Sequence, residues 1–458
     1  MLIFGGLCWN LKMCHFCRTA ALTWMHAGGL GHQIDLLVNE RTRDMSEKTI
    51  KTPIPDAGMG WSVIGEEEIA MVTEVLNEPQ WMFRYHTDHL GQCDHLEREI
   101  REKTGAGYAL FVASGTGALS CCLSGFEIGP GDEVIVPGYT YIATAAAVVD
   151  VGAVPVIAEI DDSLGMCPID LEKKITPYTA AVILVHMQGV PGRTEAIRAV
   201  CKKHDLLLIE DCCQAIGATY KGKFCGMDSD AFAWSTNFFK VITCGEGGVF
   251  LTNNADAFQR GVYQSDSGMT MWKHPLPLTR EVKPFSRAGI RGNEIAASVL
   301  RAQLGKLESM LTDTRGLKKR LLSGLNKPKN YKMQHVDDPD GDCGFSITFI
   351  ANDQVTAKKM ADLLSEEGLD IGSIYNAGFP DRHIYSYWDP IIAKKSATPA
   401  GYPWKDPAYK GNVEYSVDMC PNTLDILARS LRITLNMKTS ETNVDEFAAA
   451  INKVDSII

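Results

Sequence analysis

The sequence lacks any uninterrupted apolar run of about 18 residues, the length that marks a candidate transmembrane helix. Its opening stretch is broken by Lys12, His15 and Arg18, where the core of a secretory signal would be apolar. Basic residues are in the minority, 45 against 56 acidic ones, and the formal net charge is −11. This balance argues against nucleic acid or a membrane as partner. We therefore expect a soluble protein.

The 14 cysteines lack the regular spacing of a disulfide scaffold, and several, such as Cys121, Cys122 and Cys201, lie inside apolar runs. This usage is typical of a reducing compartment and predicts a cytoplasmic protein. Internal repeats and low-complexity tracts are missing as well. With 45% hydrophobic and 22% charged residues, the composition is that of an ordinary globular protein.

Residues 1–52 show no convincing helical or strand period. Cys14 and Cys17 have the C-x-x-C spacing found in zinc sites, but a poorly ordered extension accounts for the segment without a metal. A start codon assigned too early is a further reading, since Met45 stands just before the first stretch that resembles a domain. We interpret 1–52 as a poorly ordered N-terminal extension and predict no metal site.

From Gly60 onward, helical stretches alternate with short runs that are apolar at almost every position. Strands buried on both faces of a parallel sheet require this pattern. The runs are DEVIVP (132–137), VPVIA (154–158), AVILV (181–185), LLLIE (206–210), AFAWS (231–235) and GVFLT (248–252). The pattern predicts a large α/β domain over residues 53–325 with a mainly parallel central sheet.

The last third of the chain loses this strict alternation. A long helical segment around 293–311 precedes the strand candidate 344–351 and helices at 355–367 and 442–456. Such an order predicts a smaller α+β domain over residues 326–458. The segment 373–425, rich in Pro, Gly, Tyr and Trp, reads as long loops, and loops of this length usually shape a site.

A turn of small residues, Ser114-Gly115-Thr116-Gly117, follows the short strand candidate ALFVA and opens a helix. Backbone amides at a helix N-terminus, together with the hydroxyl groups, can surround a phosphate. An ordinary N-cap explains the same letters, so the turn by itself stays ambiguous.

Asp211 ends a buried strand, the position where ligands bind in α/β sheets, although a helix-capping role is an equal alternative. Lys240 follows the next apolar strand and precedes the glycine-rich turn Gly245-Glu246-Gly247-Gly248. Burying an ammonium group is costly, and a desolvated neutral lysine can form a Schiff base with an aldehyde. An exposed loop lysine is the alternative.

These three elements occur in the order phosphate turn, strand-end aspartate, lysine. Around them, the sequence resembles the DegT/DnrJ/EryC1/StrS sugar aminotransferases, pyridoxal-phosphate (PLP) enzymes of fold type I. The resemblance covers about residues 60–326 and is specific in GDEVIVPGYTYIATAAAV, AVILVHMQGVP, LLLIEDCCQAIGATYKG and STNFFKVITCGEGG. It implies an aminotransferase with PLP as its cofactor.

By this resemblance, Lys240 holds PLP as a Schiff base and later moves a proton, while Asp211 keeps the ring nitrogen protonated so that the ring withdraws electrons. Gln214 lies near the phenolic oxygen of the ring. The phosphate is held by Gly115, Thr116 and Ser235.

Tyr141, in the TYIAT motif, would stack on the ring, with a core tyrosine as the alternative. His186, in VHMQG, matches a residue near the active site, although a core histidine fits its surroundings too. The active site would form at a subunit interface, so the resemblance implies a homodimer.

Within the family, the stretches GWSVIGEEEIAMVTEVL, MFRY and VIAEIDDSL are most similar to the 8-amino-3,8-dideoxy-octulosonate transaminases. The expected substrates are an amino-acid donor, glutamate or glutamine, and a keto-sugar, free or nucleotide-linked, in ping-pong order. This resemblance also suggests lipopolysaccharide biosynthesis as the setting. A substrate carboxylate favours an arginine, and Arg84 and Arg291 are the candidates, with surface solvation as the alternative.

Two stretches depart from the family pattern. Residues 289–294 read GIRGNE where the family has Asn-Tyr-Arg-Met before Glu-Leu, and Ser267-Gly268 replaces a His-Gly. A non-catalytic relative that binds PLP or a sugar therefore stays an alternative. A sugar dehydratase of the same fold is a second one, but that branch replaces the lysine with histidine, and Lys240 is present.

Overall fold

The computed structural model describes residues 48–56, 58–85, 90–267, 282–376 and 379–458. Most of the predicted extension 1–52, with Cys14 and Cys17, lies outside these ranges, as does Gly268. In the ranges that are described, no helix is both long and apolar enough to cross a membrane.

The centre of the molecule is a seven-stranded sheet with the order β1-β9-β8-β5-β4-β2-β3. All six apolar runs singled out in the sequence form strands of this sheet. The strands are β1 (Tyr108–Val112), β2 (Glu133–Pro137), β3 (Val154–Ala158), β4 (Thr179–Val185), β5 (Leu207–Asp211), β8 (Ala231–Ser235) and β9 (Gly248–Thr252). A small hairpin, β6 (Thr219–Tyr220) with β7 (Lys223–Phe224), lies apart from it.

Five neighbouring strands, from β3 to β8, run parallel, which confirms the prediction of a mainly parallel sheet. Strand β9 runs antiparallel to both β8 and β1. The cause is the connection between Ser235 and Gly248, which contains no helix. Parallel neighbours need a long crossover, usually helical, so the chain turns directly back and β9 reverses.

Helices cover both faces of the sheet. One face carries α3 (Gly115–Gly125), α4 (Ala143–Val151) and α7 (Ala255–Ser265). The other face carries α2 (Gln92–Thr104) and α8 (Glu294–Gly324) at the β1 end, and α5 (Pro168–Lys174) and α6 (Thr194–Lys203) at the β3 end. Helix α1 (Glu66–Asn77) packs on α8.

The two faces explain why the strands are apolar throughout. Successive side chains of a strand point to opposite faces. Val134 and Val136 lie in the core under α3 and α4, whereas Ile135 between them lies in the core under α5 and α6. A polar residue at any of these positions would be buried between sheet and helix.

The C-terminal part has its own antiparallel sheet, in the order β10 (Tyr331–Met333), β11 (Ser346–Ala351), β12 (Ser430–Thr434). Helices α9 (Gln354–Glu366) and α12 (Glu441–Ile457) pack against it, and Leu321 of α8 joins their core. Ile50 is buried in the same core, and the Thr49 amide donates to Glu367 at 3.1 Å. The end of the predicted extension therefore contacts this smaller unit.

The segment 373–425, predicted as loops, returns to the large sheet. Its described residues include a 3-10 helix, Tyr385–Tyr387, and two short α-helices, α10 (Asp389–Ile392) and the start of α11, which runs Pro421–Arg429. Ile384 and Trp388 are buried in the core of the large sheet. The Tyr409 hydroxyl donates to Glu133 at 2.6 Å. These contacts fix the segment against the edge of the sheet that holds β2 and β3.

Candidate functional site

The carboxyl ends of the parallel strands open into a cavity of about 470 Å³. In α/β sheets this edge is where ligands bind. Seven of the residues singled out in the sequence line it: Gly115, Thr116, Tyr141, Asp211, Gln214, Ser235 and Lys240. The remaining candidates, Arg84, His186 and Arg291, do not line this cavity.

The N-terminus of α3 faces the cavity and is closely packed. Ser114 caps the helix by accepting the Gly117 amide on its hydroxyl at 3.0 Å. A Cβ at Gly115 would lie 2.6 Å from the Ser235 Cβ and 3.1 Å from the Cys213 Sγ. Only glycine lets the helix start approach Ser235 this closely. The first amides of α3 and the Ser235 hydroxyl thus form a cradle for an anion.

Asp211, the last residue of β5, is buried and held in one orientation. One carboxylate oxygen accepts the Thr144 hydroxyl at 2.8 Å, and the other accepts the Cys213 amide at 3.0 Å. Burial and the nearby Asp211 raise the pKa of the Cys213 thiol well above its ordinary value. Cys213 therefore stays a thiol and does not compete with Lys240 as a nucleophile.

Lys240 lies in the turn after β8, five residues beyond its end at Ser235, and its side chain is only partly buried. The expectation of a fully buried strand-end lysine is thus modified. Its amide donates to the Asn237 carbonyl at 3.0 Å, and its carbonyl accepts the Gly60 amide at 3.2 Å. These bonds fix the backbone so that the amine reaches the cavity lined by Asp211.

Tyr141 and Gln214 complete this side of the cavity. Tyr141 is 43% exposed, which is high for a core tyrosine, and its ring faces His383 with the ring centroids 5.2 Å apart. Gln214 accepts the Gln188 amide on its side-chain oxygen at 3.1 Å, which orients its amide group. Both side chains are therefore available to a flat ligand.

His186 is fully buried behind β5, next to Glu210, and its two ring nitrogens are both engaged. The Gly192 amide donates to Nδ1 at 3.0 Å, so in the neutral ring Nε2 carries the proton and donates to Glu210 at 2.8 Å. The geometry matches the core-histidine alternative. Ligand atoms of His186, Glu210 and Cys212 lie within 4.8 Å of one another, but this hydrogen bonding leaves the histidine no free lone pair for a metal.

The two arginines expected at a substrate carboxylate have partners elsewhere. Arg84 is 7% exposed and pairs with Glu97 at 2.5 Å. Arg291 pairs with Asp266 at 2.7 Å. Because a buried carboxylate left without its cation is strongly destabilising, Arg84 is committed to Glu97 within its own subunit. Neither arginine lines the cavity, so within one subunit the structure does not place them where we expected a substrate carboxylate.

Sequence reasoning missed several lining residues, among them Thr144, Asn237, Glu246 and His383. Thr144 is within the TYIAT stretch, and its link to Asp211 could have been suspected from that motif. His383 comes from the segment 373–425, whose loops were expected to shape a site, but no local pattern distinguished this histidine.

Comparison with known proteins identifies the family to which the chain is similar. The sequence model of the DegT/DnrJ/EryC1/StrS aminotransferase family matches residues 62–400. A putative L-glutamine:3-amino-2,3-dideoxy-scyllo-inosose aminotransferase of Micromonospora echinospora is 34% identical over 52% of this chain and 56% of its own length. The spore coat polysaccharide biosynthesis protein SpsC of Bacillus subtilis (strain 168) is 29% identical over 86% of this chain and 95% of its own.

Among solved structures, 3-amino-5-hydroxybenzoic acid synthase superposes with a TM-score of 0.70 at 23% identity, covering 89% of this chain and 100% of that one. At this identity the likeness establishes the fold. The match to the Micromonospora relative spans little more than half of that protein's length, so substrates are not transferred from it directly.

Proposed function

The chain belongs to the DegT/DnrJ/EryC1/StrS aminotransferase family, and on that premise we propose that it is a PLP-dependent aminotransferase that moves an amino group from glutamate or glutamine to a keto-sugar. One observation carries the proposal. A single cavity joins the Lys240 amine, the oriented Asp211 carboxylate and the N-terminus of α3. PLP requires three groups: an amine nucleophile, a carboxylate that pairs with the protonated ring nitrogen, and an anion cradle for the phosphate.

The residues present fit the cofactor. The cavity of about 470 Å³ is within the range of small-molecule sites. Because Gly115 has no Cβ, the start of α3 lies directly against Ser235, which brings the helix amides and the Ser235 hydroxyl together, and Thr116 adds a second hydroxyl. Tyr141 offers a ring face for stacking. When bound through Lys240, the cofactor supplies an electron sink for the carbon that carries the transferred nitrogen.

Replacing Gly115 with alanine tests the phosphate cradle. The new Cβ clashes with Ser235, so we expect PLP affinity to fall at least about tenfold and stability to fall by about 1–3 kcal/mol. Absorbance titration with PLP and thermal unfolding measure the two effects. Gly305→Ala is the matched control, because Gly305 lies in α8 with no heavy atom within 4 Å of an added Cβ. That change should stabilise the helix by about 0.5–1 kcal/mol and leave PLP affinity unchanged.

The side chains divide the chemistry between them. Asp211, fixed by Thr144 and Cys213, holds a proton on the ring nitrogen. Lys240 would hold the cofactor through its amine, and the same amine, when free, would move a proton at the reacting carbon as a general base. Because one site serves donor and acceptor in turn, the order is ping-pong: the donor's keto acid leaves before the keto-sugar enters.

The acceptor we propose is a polyhydroxylated ketone, with an 8-keto octulosonate as the specific candidate. Sequence stretches such as VIAEIDDSL support it, and the Micromonospora relative's name describes an inosose, itself a hydroxylated ketone. The name of SpsC points to polysaccharide biosynthesis, and lipopolysaccharide biosynthesis in the cytoplasm is the setting we propose. A nucleotide-linked keto-sugar is the other acceptor of the same class.

We propose a homodimer as the working form. Among the described residues, none of those that line the cavity is an arginine, whereas a substrate carboxylate is best bound by a guanidinium group. A second subunit can supply that group, as the family's interface-built sites imply. Arg291 pairs with Asp266 but is 45% exposed at its side chain, and it is the residue that we propose for this role in a neighbouring subunit.

The absorption spectrum with and without glutamate is the first test. Purified protein with PLP should show a band at about 410–430 nm that moves to about 330 nm when glutamate is added without a sugar. If neither glutamate nor glutamine shifts the band, the proposal of transamination is wrong. Failure to bind PLP at all would favour a non-catalytic, sugar-binding relative.

A further inference from the structure

His383 enters the Lys240 cavity from a part of the chain remote in sequence. Of the described residues that line the cavity, all except His383 lie between Ser114 and Glu246. The segment 373–425 thus adds one side chain to a site otherwise built by the sheet domain. Its imidazole is next to the Tyr141 ring, at a centroid separation of 5.2 Å and a tilt of 52°.

The backbone around His383 is fixed to the strip that carries Tyr141. The Thr140 amide donates to the His383 carbonyl at 2.9 Å, and the Ile142 amide donates to the Arg382 carbonyl at 3.0 Å. Tyr139 and Ile384 form an antiparallel bridge beside them. Backbone hydrogen bonds therefore hold the stretches 139–142 and 382–384 side by side, and a residue held in this way is preorganised for binding.

Asp381 determines which ring nitrogen of His383 faces outward. Its carboxylate oxygen lies 2.7 Å from Nδ1 and also accepts the His383 amide at 2.9 Å. Burial alone would raise the pKa of Asp381, but the hydrogen bonds from His383 lower it below its ordinary value, so the carboxylate stays ionised. An ionised carboxylate only accepts, hence Nδ1 carries the proton. In the neutral ring, Nε2 then offers a lone pair.

We propose that His383 is a substrate-binding residue whose Nε2 accepts a hydrogen bond from a hydroxyl group of the polyhydroxylated ketone, with Asp381 as its positioning residue. The inference rests on the proposed function and deepens it. It assigns recognition of the acceptor's hydroxyl groups to the segment 373–425, and cofactor binding to the sheet domain. The donor amino acid, which has no hydroxyl group, does not need His383.

The test compares two acceptors on enzyme reconstituted with pyridoxamine phosphate. The probes are scyllo-inosose, which carries hydroxyl groups beside its ketone, and cyclohexanone, which has none. His383→Asn keeps a group that can pair with Asp381 but removes Nε2. We expect kcat/KM for scyllo-inosose to fall about tenfold or more, mainly through KM, with cyclohexanone unaffected. His383→Gln, whose amide reaches about as far as Nε2, should restore part of the selectivity.

Two further readouts separate binding from folding. The glutamate-driven shift of the cofactor band should be retained in His383→Asn, and Asp381→Asn should lower scyllo-inosose selectivity to an intermediate extent. His335→Asn is the matched control, because His335 also pairs with an aspartate, Asp337, at 2.6 Å but does not line the cavity. His335→Asn should leave kcat/KM unchanged for both acceptors.

Equal losses for both acceptors, or a lost glutamate shift in His383→Asn, would overturn the role of His383. A wild-type enzyme that shows the glutamate shift but does not aminate scyllo-inosose would also overturn the role of His383. That result would leave the proposal of transamination intact. A wild-type enzyme without any glutamate or glutamine response would instead remove the proposed function itself.

Discussion

Lys240→Ala should abolish the cofactor band near 410–430 nm and lower transamination by at least about 10³-fold. In the proposed mechanism, Lys240 supplies the amine that binds PLP and the base that moves the proton, so one substitution removes both actions. The anion cradle at Gly115, the Asp211 contact and the Tyr141 ring would then remain to hold the cofactor. The absorption spectrum and the steady-state rate with glutamate and scyllo-inosose measure the two losses.

A control lysine shows whether charge alone accounts for the result. Lys203 is near the end of α6, is 66% exposed at its side chain and pairs with Glu172 at the surface. Lys203→Ala should retain the band and the rate. If Lys240→Ala kept the band while Lys203→Ala also kept it, Lys240 would not be the residue that binds the cofactor. The glycine-rich turn 245–248 would then need another explanation.

The central sheet was predictable because its strands are apolar at nearly every position. The run AFAWS (231–235) coincides with β8, and GVFLT (248–252) coincides with β9. The direction of β9 was not predictable from these letters, since direction depends on the connection and not on the strand. The absence of a helical pattern between Ser235 and Gly248 was the only available signal.

The length of α8 shows a second limit of periodicity. The sequence predicts a helix over 293–311, whereas α8 runs from Glu294 to Gly324. Leu300 and Leu307 pack under the large sheet, but Leu321 packs in the core of the smaller unit. Because the helix changes partners along its length, its apolar stripe does not continue as a single face. Helical periodicity therefore did not predict the second half of α8.

The residues of the candidate site also divide into those that the sequence predicts and those that only the folded structure reveals. Gly115, Asp211 and Ser235 were predictable because strand ends in an α/β sheet converge at one edge. His383 was not, because only the folded segment 373–425 brings it there. Arg84 was selected from the need for a cation, and nothing in the sequence showed that Glu97, on the next helix, would be its partner.

Asp211→Ala should leave a protein that still binds PLP but converts it with glutamate about 10²- to 10³-fold more slowly. Asp211 is the carboxylate of the cavity whose two oxygens are both directed by neighbours, Thr144 and Cys213. In the proposed mechanism, its loss removes the negative charge that keeps a pyridine nitrogen protonated, and the electron sink weakens accordingly. Stopped-flow absorbance of the glutamate half-reaction measures the rate.

A cofactor analogue distinguishes this electrostatic role from a structural one. Pyridoxal phosphate methylated at the ring nitrogen carries a permanent positive charge there, so it should recover much of the lost rate in Asp211→Ala. Thr144→Val removes only the hydroxyl that orients the carboxylate, and its effect should be a few-fold, the value of one neutral hydrogen bond. If the methylated analogue gave no recovery while PLP binding stayed intact, Asp211 would act by shaping the cavity. The assignment of a proton to the ring nitrogen would then have to move to another group.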